Sequence, residues 1–310
     1  MRLRARLGFT VVAVLLVFAV TAFAAAWLRR AADQGHAQAQ YTLGLIYYNL
    51  GLMYLKGYGV AQDPRQAAVW YRRAADQGHV DAQYNLGLMY YQGYGVAKDG
   101  QEAVVWWRRA ADQGHAQAQY GLGLMYYQGY GVAKDGQEAV VWWRRAADQG
   151  DVLAQYGLGL MYCEGKGVAQ DHKQAVVWFR RAADQGFAKA QYNLGWMYDE
   201  GEGVAKDRQE AVVWFRRAAD QGHAMAQFTL GRMYYLGEDL GEGVAKDEKE
   251  AVVWLRRAAD QGLAQAQFIL GLMYYQGEGV DKDEQEAVVW LRRAADQGYA
   301  EAKAALQKLQ

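Results

Sequence analysis

Serine is absent from all 310 residues, and proline and cysteine occur once each, at Pro64 and Cys163. Without serine there is no serine nucleophile, and the threonines are limited to Thr10, Thr21, Thr42 and Thr229. A single thiol excludes an intrachain disulfide and any multi-cysteine zinc site. Any catalysis would rest on carboxylates, histidines or tyrosines. A chain of this length suggests two domains, yet the Pro/Ser/Gly-rich stretches that usually part domains are missing, so one continuous architecture is the simpler reading. Excess charge is missing too: 34 Lys plus Arg balance 34 Asp plus Glu, leaving no basic field to hold nucleic acid. Hydrophobic residues at 52% are ample for a packed core.

The first six residues read Met-Arg-Leu-Arg-Ala-Arg, and the run from Leu7 to Leu28 carries no charge. A basic start followed by an apolar segment is the pattern of an export signal. Roughly 20 apolar residues suffice to span a bilayer, so residues 7–28 would equally serve as an anchor. The small-x-small sequence Ala22-Phe23-Ala24 fits a cleavage site, and residues 1–24 are read as a signal peptide, with an uncleaved membrane anchor as the alternative. Both place the remainder outside the cytoplasm, in the periplasm, because Arg2, Arg4 and Arg6 hold the start inside. Loss of those three Arg would leave 31 basic residues against 34 acidic ones.

Internal repetition dominates the rest of the chain. The string RRAADQG begins at Arg29, Arg72, Arg108, Arg144, Arg180, Arg216, Arg256 and Arg292, at a spacing of 36 broken only by one of 43 and one of 40. Residues 86–114 and 122–150 are identical over 29 positions, a duplication within one gene. In the unit at 79–114, Ala82, Leu86, Gly87 and Tyr90 fall on one face of a helix, here helix A. Gly93-Tyr94-Gly95-Val96 ends it, since glycine readily takes the left-handed conformation. Asp99 then stands three residues before Glu102, a capping box that opens helix B and recurs from Asp63/Gln66 to Asp283/Glu286. Pro64 sits at a first helical position, where proline is tolerated. Helix B aligns Ala103, Trp107 and Ala110 and stops at Asp112-Gln113-Gly114.

Such a hairpin is too small to bury its own apolar face, so neighbours must stack and share a core. A glycine recurs inside helix A, from Gly44 and Gly87 to Gly271. Each costs about 1 kcal/mol in helix propensity against Ala, which implies close backbone approach. The seven units span 37–78, 79–114, 115–150, 151–186, 187–222, 223–262 and 263–298. Residues 27–36 are the remnant of a preceding helix B. Residues 299–310 start as a helix A but bring in Glu301, Lys303, Gln307 and Lys308, the polar outer face of a solenoid cap. The longer first unit repeats seven residues within 43–54, which lengthens helix A with about 20° of drift. The four extra residues around Glu238, Asp239 and Leu240 make a longer acidic loop.

The motifs A-x-A-Q-Y-x-L-G-x-M-Y, G-x-G-V-x-x-D and A-V-x-W-x-R-R-A-A-x-Q-G, running from Ala37 to Gly298, resemble the Sel1-like repeat, a relative of the tetratricopeptide repeat. The resemblance implies an all-α, right-handed α/α superhelical solenoid that serves as a scaffold for protein complexes, often in bacterial envelope or signalling pathways. A cysteine-rich branch of that family, linked to β-lactam binding, pairs two Cys in each repeat. Cys163 alone cannot supply those disulfides, so that activity does not carry over.

Other patterns have plainer explanations. The GxGV segments lack the third glycine of a dinucleotide loop and follow a helix, so they are turns. His36, His79, His115 and His223 share one repeat position, but stacked helices about 8–10 Å apart cannot bring equivalent imidazoles to one metal, and no metal or cofactor is expected. The Arg pairs, each followed by an Asp, read as a solvated and locally neutralised face. The helix B tryptophans, Trp70, Trp106, Trp142, Trp178, Trp214, Trp254 and Trp290, read as packing residues.

Under the tetratricopeptide correspondence, helix A lines a concave groove. Its positions after the Leu-Gly pair and at the helix end include Trp196 and Arg232, which break a column of Leu, and Tyr91, Tyr127, Asp199, Tyr235 and Tyr275. Trp and Arg are enriched in binding hot spots. The expectation is a noncatalytic envelope scaffold that binds a protein or peptide there. The competing readings are a cell-wall or β-lactam-related envelope enzyme, which would need a nonrepeated ionisable pair within hydrogen-bond reach, and a self-associating structural protein. The leader makes the first testable statement: the mature protein should have lost residues 1–24 by intact-mass measurement, and a full-length product soluble in the cytosol would contradict it.

Overall fold

The computed structural model describes residues 30, 34, 37–237 and 243–309. The segment 1–24, the apolar run 7–28, most of the helix remnant 27–36 and the loop around Glu238 to Leu240 lie outside the described residues. Every regular element among the described residues is an α-helix, as expected for a solenoid of helical hairpins. None of these helices is long and apolar enough to cross a membrane.

The chain divides into two units, residues 1–149 and 150–310. The first contains α1 (Ala37–Lys56), α2 (Pro64–Asp76), α3 (Val80–Gln92), α4 (Gly100–Asp112), α5 (Ala116–Gln128) and α6 (Gly136–Asp148). The second contains α7 (Val152–Glu164), α8 (His172–Asp184), α9 (Ala188–Glu200), α10 (Arg208–Asp220), α11 (Ala224–Leu236), α12 (Glu248–Asp260), α13 (Ala264–Gln276), α14 (Glu284–Asp296) and α15 (Ala300–Leu309). Odd-numbered helices are A helices and even-numbered ones are B helices. Within each unit, every A helix packs on the B helix that follows it and on the one that precedes it.

Inside a hairpin the backbone of helix A lies against a ring of helix B. A Cβ placed on Gly87 would stand 2.5 Å from Cδ1 of Trp107, so any larger residue there would displace the indole. The same approach recurs between Gly195 and Phe215, and between Gly231 and Leu255. In the first hairpin the residue in this position is Gly51 against Tyr71, not Gly44 as the repeat alignment suggests. The 20 residues from Gly51 to Tyr71 match those from Gly87 to Trp107, so the seven-residue duplication is added on the N-terminal side. In that register the first unit contributes Leu52 after its Leu-Gly pair and Leu55 at the helix end.

Between hairpins the recurring polar link is a buried glutamine. Gln83 on α3 is 4% exposed; its Nε2 donates to the Ala75 carbonyl of α2 at 3.1 Å, and its Oε1 accepts from Gln113 at the end of α4 at 2.8 Å. One side chain thus ties three successive helices together and leaves no buried amide unpaired. The arrangement repeats at Gln119 in the first unit and at Gln191, Gln227 and Gln267 in the second.

Each B helix opens on an Asp. The Asp99 side chain accepts from the amides of Gln101 and Glu102 at 2.9 and 3.1 Å, and Asp63, Asp135, Asp171, Asp207, Asp247 and Asp283 are N-caps in the same way. Only half of the expected capping box forms. The Asp99 amide donates to the Tyr90 carbonyl at 2.9 Å, leaving the Glu102 carboxylate free to accept from Trp106 Nε1 at 3.0 Å. Helix A ends where Gly93 takes φ of 73°, a conformation that favours glycine.

Two substitutions in the first unit test this packing. Asp135→Ala should cost about 0.5–2 kcal/mol through loss of a cap. Gly123→Ala, whose Cβ would enter the Trp143 ring, should cost about 1–3 kcal/mol through overpacking. Denaturant melts compare the two with the parent, and a Gly123→Ala protein as stable as the parent would refute the close approach.

Candidate functional site

Helix A carries the residues singled out for partner binding, and they differ in how free they are. Trp196 on α9 is 38% exposed, unusual for an indole in this chain, since the B-helix tryptophans Trp106, Trp214 and Trp254 are each 3% exposed. Arg232, one repeat later on α11, is also exposed. Asp199 lies on the same helix as Trp196, but its carboxylate is held by Arg208 Nε at 3.1 Å, so it presents a neutralised pair. Tyr235 donates its hydroxyl to Glu278 at 2.8 Å; burial and that bond push its pKa up to about 12, and it is a clamp between neighbouring repeats. Tyr275 is 38% exposed, with Lys282 Nζ 5.4 Å from its ring centroid. These five residues belong to the second unit.

In the first unit, Tyr91 is half-buried, 5.4 Å from Trp107 and edge-on to Tyr130 at 5.8 Å. Tyr127 leans on Trp143 at 5.5 Å. Both are partly committed to the hairpin interior. The side chains with free area for a partner are therefore Trp196, Arg232 and Tyr275.

The arginine pairs have aromatic partners that the sequence reading did not foresee. The second Arg of each pair lies over the tryptophan three residues earlier: Arg109 is 4.5 Å from the Trp106 ring, and Arg217 is 4.5 Å from Trp214. The first Arg reaches the next A helix, where Arg108 donates to the Tyr126 hydroxyl and Arg216 to that of Tyr234. A guanidinium on an aromatic face gains cation–π attraction, and the long stem covers apolar surface. The i, i+3 spacing of Trp106 and Arg109 was the available signal.

Of the repeated histidines, His36 lies outside the described residues, and His79, His115 and His223 are helix caps. Nδ1 of His115 accepts from the Ala118 amide at 3.2 Å, and its ring stacks on Tyr84 at 4.6 Å. His79 and His223 do the same on Ala82 with Tyr48 and on Ala226 with Tyr192. Asp151, at the equivalent position, caps α7 through Ala154 at 2.8 Å and marks the role in the sequence. Burial lowers the pKa of His79, His115 and His223, which keeps Nδ1 free to accept.

The model of the Sel1 repeat matches residues 16–36, 37–79, 80–115, 116–151, 152–187, 188–223, 224–263 and 264–299. Among solved structures the chain is similar to a protective antigen of uropathogenic Escherichia coli strains displaying an SLR fold, with 38% identity and a TM-score of 0.81 over 92% of this chain and 59% of that one. It is also similar to a Sel1 repeat protein from Oxalobacter formigenes, with 38% identity and a TM-score of 0.71 over 92% of this chain and 80% of that one. The chain thus spans about three fifths of the first relative's length. No curated protein matches.

The capping histidines make stability depend on pH. With their folded pKa values below the unfolded one, the folded state binds fewer protons, so their contribution is complete above the unfolded pKa of about 6.5 and is lost as pH falls through the folded pKa. Melting temperatures should drop between pH 7.5 and 5. Replacing His115 and His223 with Asn, itself a good cap, should flatten that drop, and an unchanged slope would contradict the assignment.

Proposed function

The chain belongs to the Sel1 repeat family, and on that premise we propose that it is a noncatalytic scaffold of the bacterial envelope that binds a protein or peptide along the surface of its A helices. The observation that carries this reading is the exposure of Trp196, 38% on a helix whose Leu194 and Met197 are 0% and 1% exposed. An indole that keeps over a third of its surface in water, where most repeats place Leu, costs solvation there, whereas in an interface it supplies a large rigid anchor. Arg232 one repeat on adds a fork of donors suited to a carboxylate or an aromatic ring. The Arg208–Asp199 pair beside them is a polar rim. The basic, apolar leader supports a place outside the cytoplasm, with residues 7–28 as anchor if they are retained. A relative that is a protective antigen supports the same placement.

Crosslinking capture from the native envelope would identify the partner. Against that partner, Trp196→Ala should cost about 2 kcal/mol or more in affinity, while folding stability changes by less than about 0.5 kcal/mol because an exposed side chain is removed. Calorimetric titration and a thermal melt read the two effects. Normal affinity in the folded variant, or collapse of the array, would overturn the assignment.

A further inference from the structure

On the B-helix side of the first unit, the first repeat departs from all the others. A groove of about 440 Å³ runs beside α2, with mostly apolar walls formed by Ala68, Val69, Leu86 and Val96. That volume lies within the roughly 300–1,000 Å³ of ligand clefts. The opening has a sequence cause: position 68 is Ala, whereas the equivalent residues are Val104, Val140, Val176, Val212, Val252 and Val288. Two methyl groups fewer in the wall widen it at this point. Val69 at the rim is 45% exposed.

The rim is basic. Arg65, Arg72 and Arg73 border the groove, with Asp76 the one acidic residue among its lining groups. Arg72 is already engaged by the Tyr90 hydroxyl and by Glu102 at 3.5 Å, and Arg73 lies 4.5 Å over Trp70. The Arg65 guanidinium has no ion pair among the described residues, and the Glu that follows this position in most repeats is Gln66 here. An apolar slot beside an unpaired guanidinium suits a group that is apolar and anionic side by side, because an Arg fork binds carboxylate in two parallel hydrogen bonds. One end of the slot is fixed, since the turn at Gly95 presses on the Pro64 carbonyl so closely that a side chain there would collide.

We propose that this groove docks an acidic peptide segment, seating one apolar side chain against Ala68 and Val96 and pairing a neighbouring carboxylate with Arg65. The slot is recessed between helices and carries Asp76 on its rim, features that suit a single side chain of a peptide better than the flat charge of a bilayer. It shares no residue with the Trp196 surface, so each can fail without the other.

Fluorescence anisotropy of the full chain with a labelled hexapeptide alternating glutamate and leucine is the test, alongside its lysine–leucine counterpart and phosphatidylglycerol vesicles. The acidic peptide should bind, and Ala68→Val should weaken it by about tenfold or more, a change of about 1.4 kcal/mol. Arg65→Gln should weaken it several-fold. Both substitutions install residues that stand at equivalent positions in other repeats, Val104 and Gln101, so both proteins should melt like the parent. Trp196→Ala should leave this binding unchanged. Equal binding of the lysine peptide, no effect of Ala68→Val, or binding to the vesicles without binding to the acidic peptide would each overturn the proposal.

Discussion

The approach of a helix A glycine to the ring of helix B is the constraint on which the rest of this structure depends. A hairpin of two 13-residue helices such as α3 and α4 buries few large side chains, so it must gain stability from contact at short range. Placing the Gly87 backbone on the Trp107 face does this, and the propensity cost of about 1 kcal/mol per glycine is offset by dispersion contacts over an aromatic surface. The indole also finds a polar partner without leaving the contact, since Trp107 Nε1 donates to the Tyr84 carbonyl at 3.1 Å. With the interhelical distance set in this way, the Asp99 cap and the Gly93 turn meet in register, and the Gln83 amide reaches both neighbouring B helices.

Two different interactions therefore divide the work. The glycine–ring contact is apolar, lies within a hairpin and fixes distance. The glutamine bridge is polar, lies between hairpins and fixes register, because an amide with one donor bond and one acceptor bond tolerates little sliding before a buried group is left unpaired. A solenoid has only nearest-neighbour contacts to set its geometry, so any looseness in the repeated link would accumulate along each unit. The Arg–aromatic contacts seal the outside of the same joints.

Much of this was legible in the sequence. The period of 36 with a glycine-terminated first half and an Asp-opened second half left little choice but stacked hairpins. The buried tryptophans and the turn glycines followed from the same periodicity. What escaped was the chemistry of side chains that look polar in a string of letters. Arg109 reads as a partner for Asp112 until its stem is seen to lie along Trp106. His115 reads as a lone imidazole until the position is compared with Asp151, which shows a cap. Gly44 and Gly51 are equally good glycines by motif, and only the fixed 20-residue reach to the opposing ring chooses between them. Among the site residues, identity gave no clue that Tyr235 and Asp199 are already bound to Glu278 and Arg208.

The repeats differ most where two side chains share one space. The ring position of helix B runs Tyr71, Trp107, Trp143, Phe179, Phe215, Leu255 and Leu291 along the chain. Fourteen residues after each stands a residue of the next A helix, and where the first is largest the second is smallest: Gly121 follows Trp107, Thr229 follows Phe215, and Ile269 follows Leu255. A Cβ on Gly121 would stand 3.0 Å from the Trp107 ring, while Ile269 packs against the cluster that contains Leu255. In these pairs total volume is held nearly constant while its division between helices varies, the kind of exchange that packed interiors tolerate best. Leu291 with Ala305, at the last joint, departs from this trade, whereas Tyr71 with Asn85 keeps it and borders a cavity of about 300 Å³. Ala68, one turn before Tyr71 on the same helix, stands beside the groove of about 440 Å³. An array whose identical copies would fill every joint alike presents a distinct surface where one copy departs from the rest, as α2 does at Ala68.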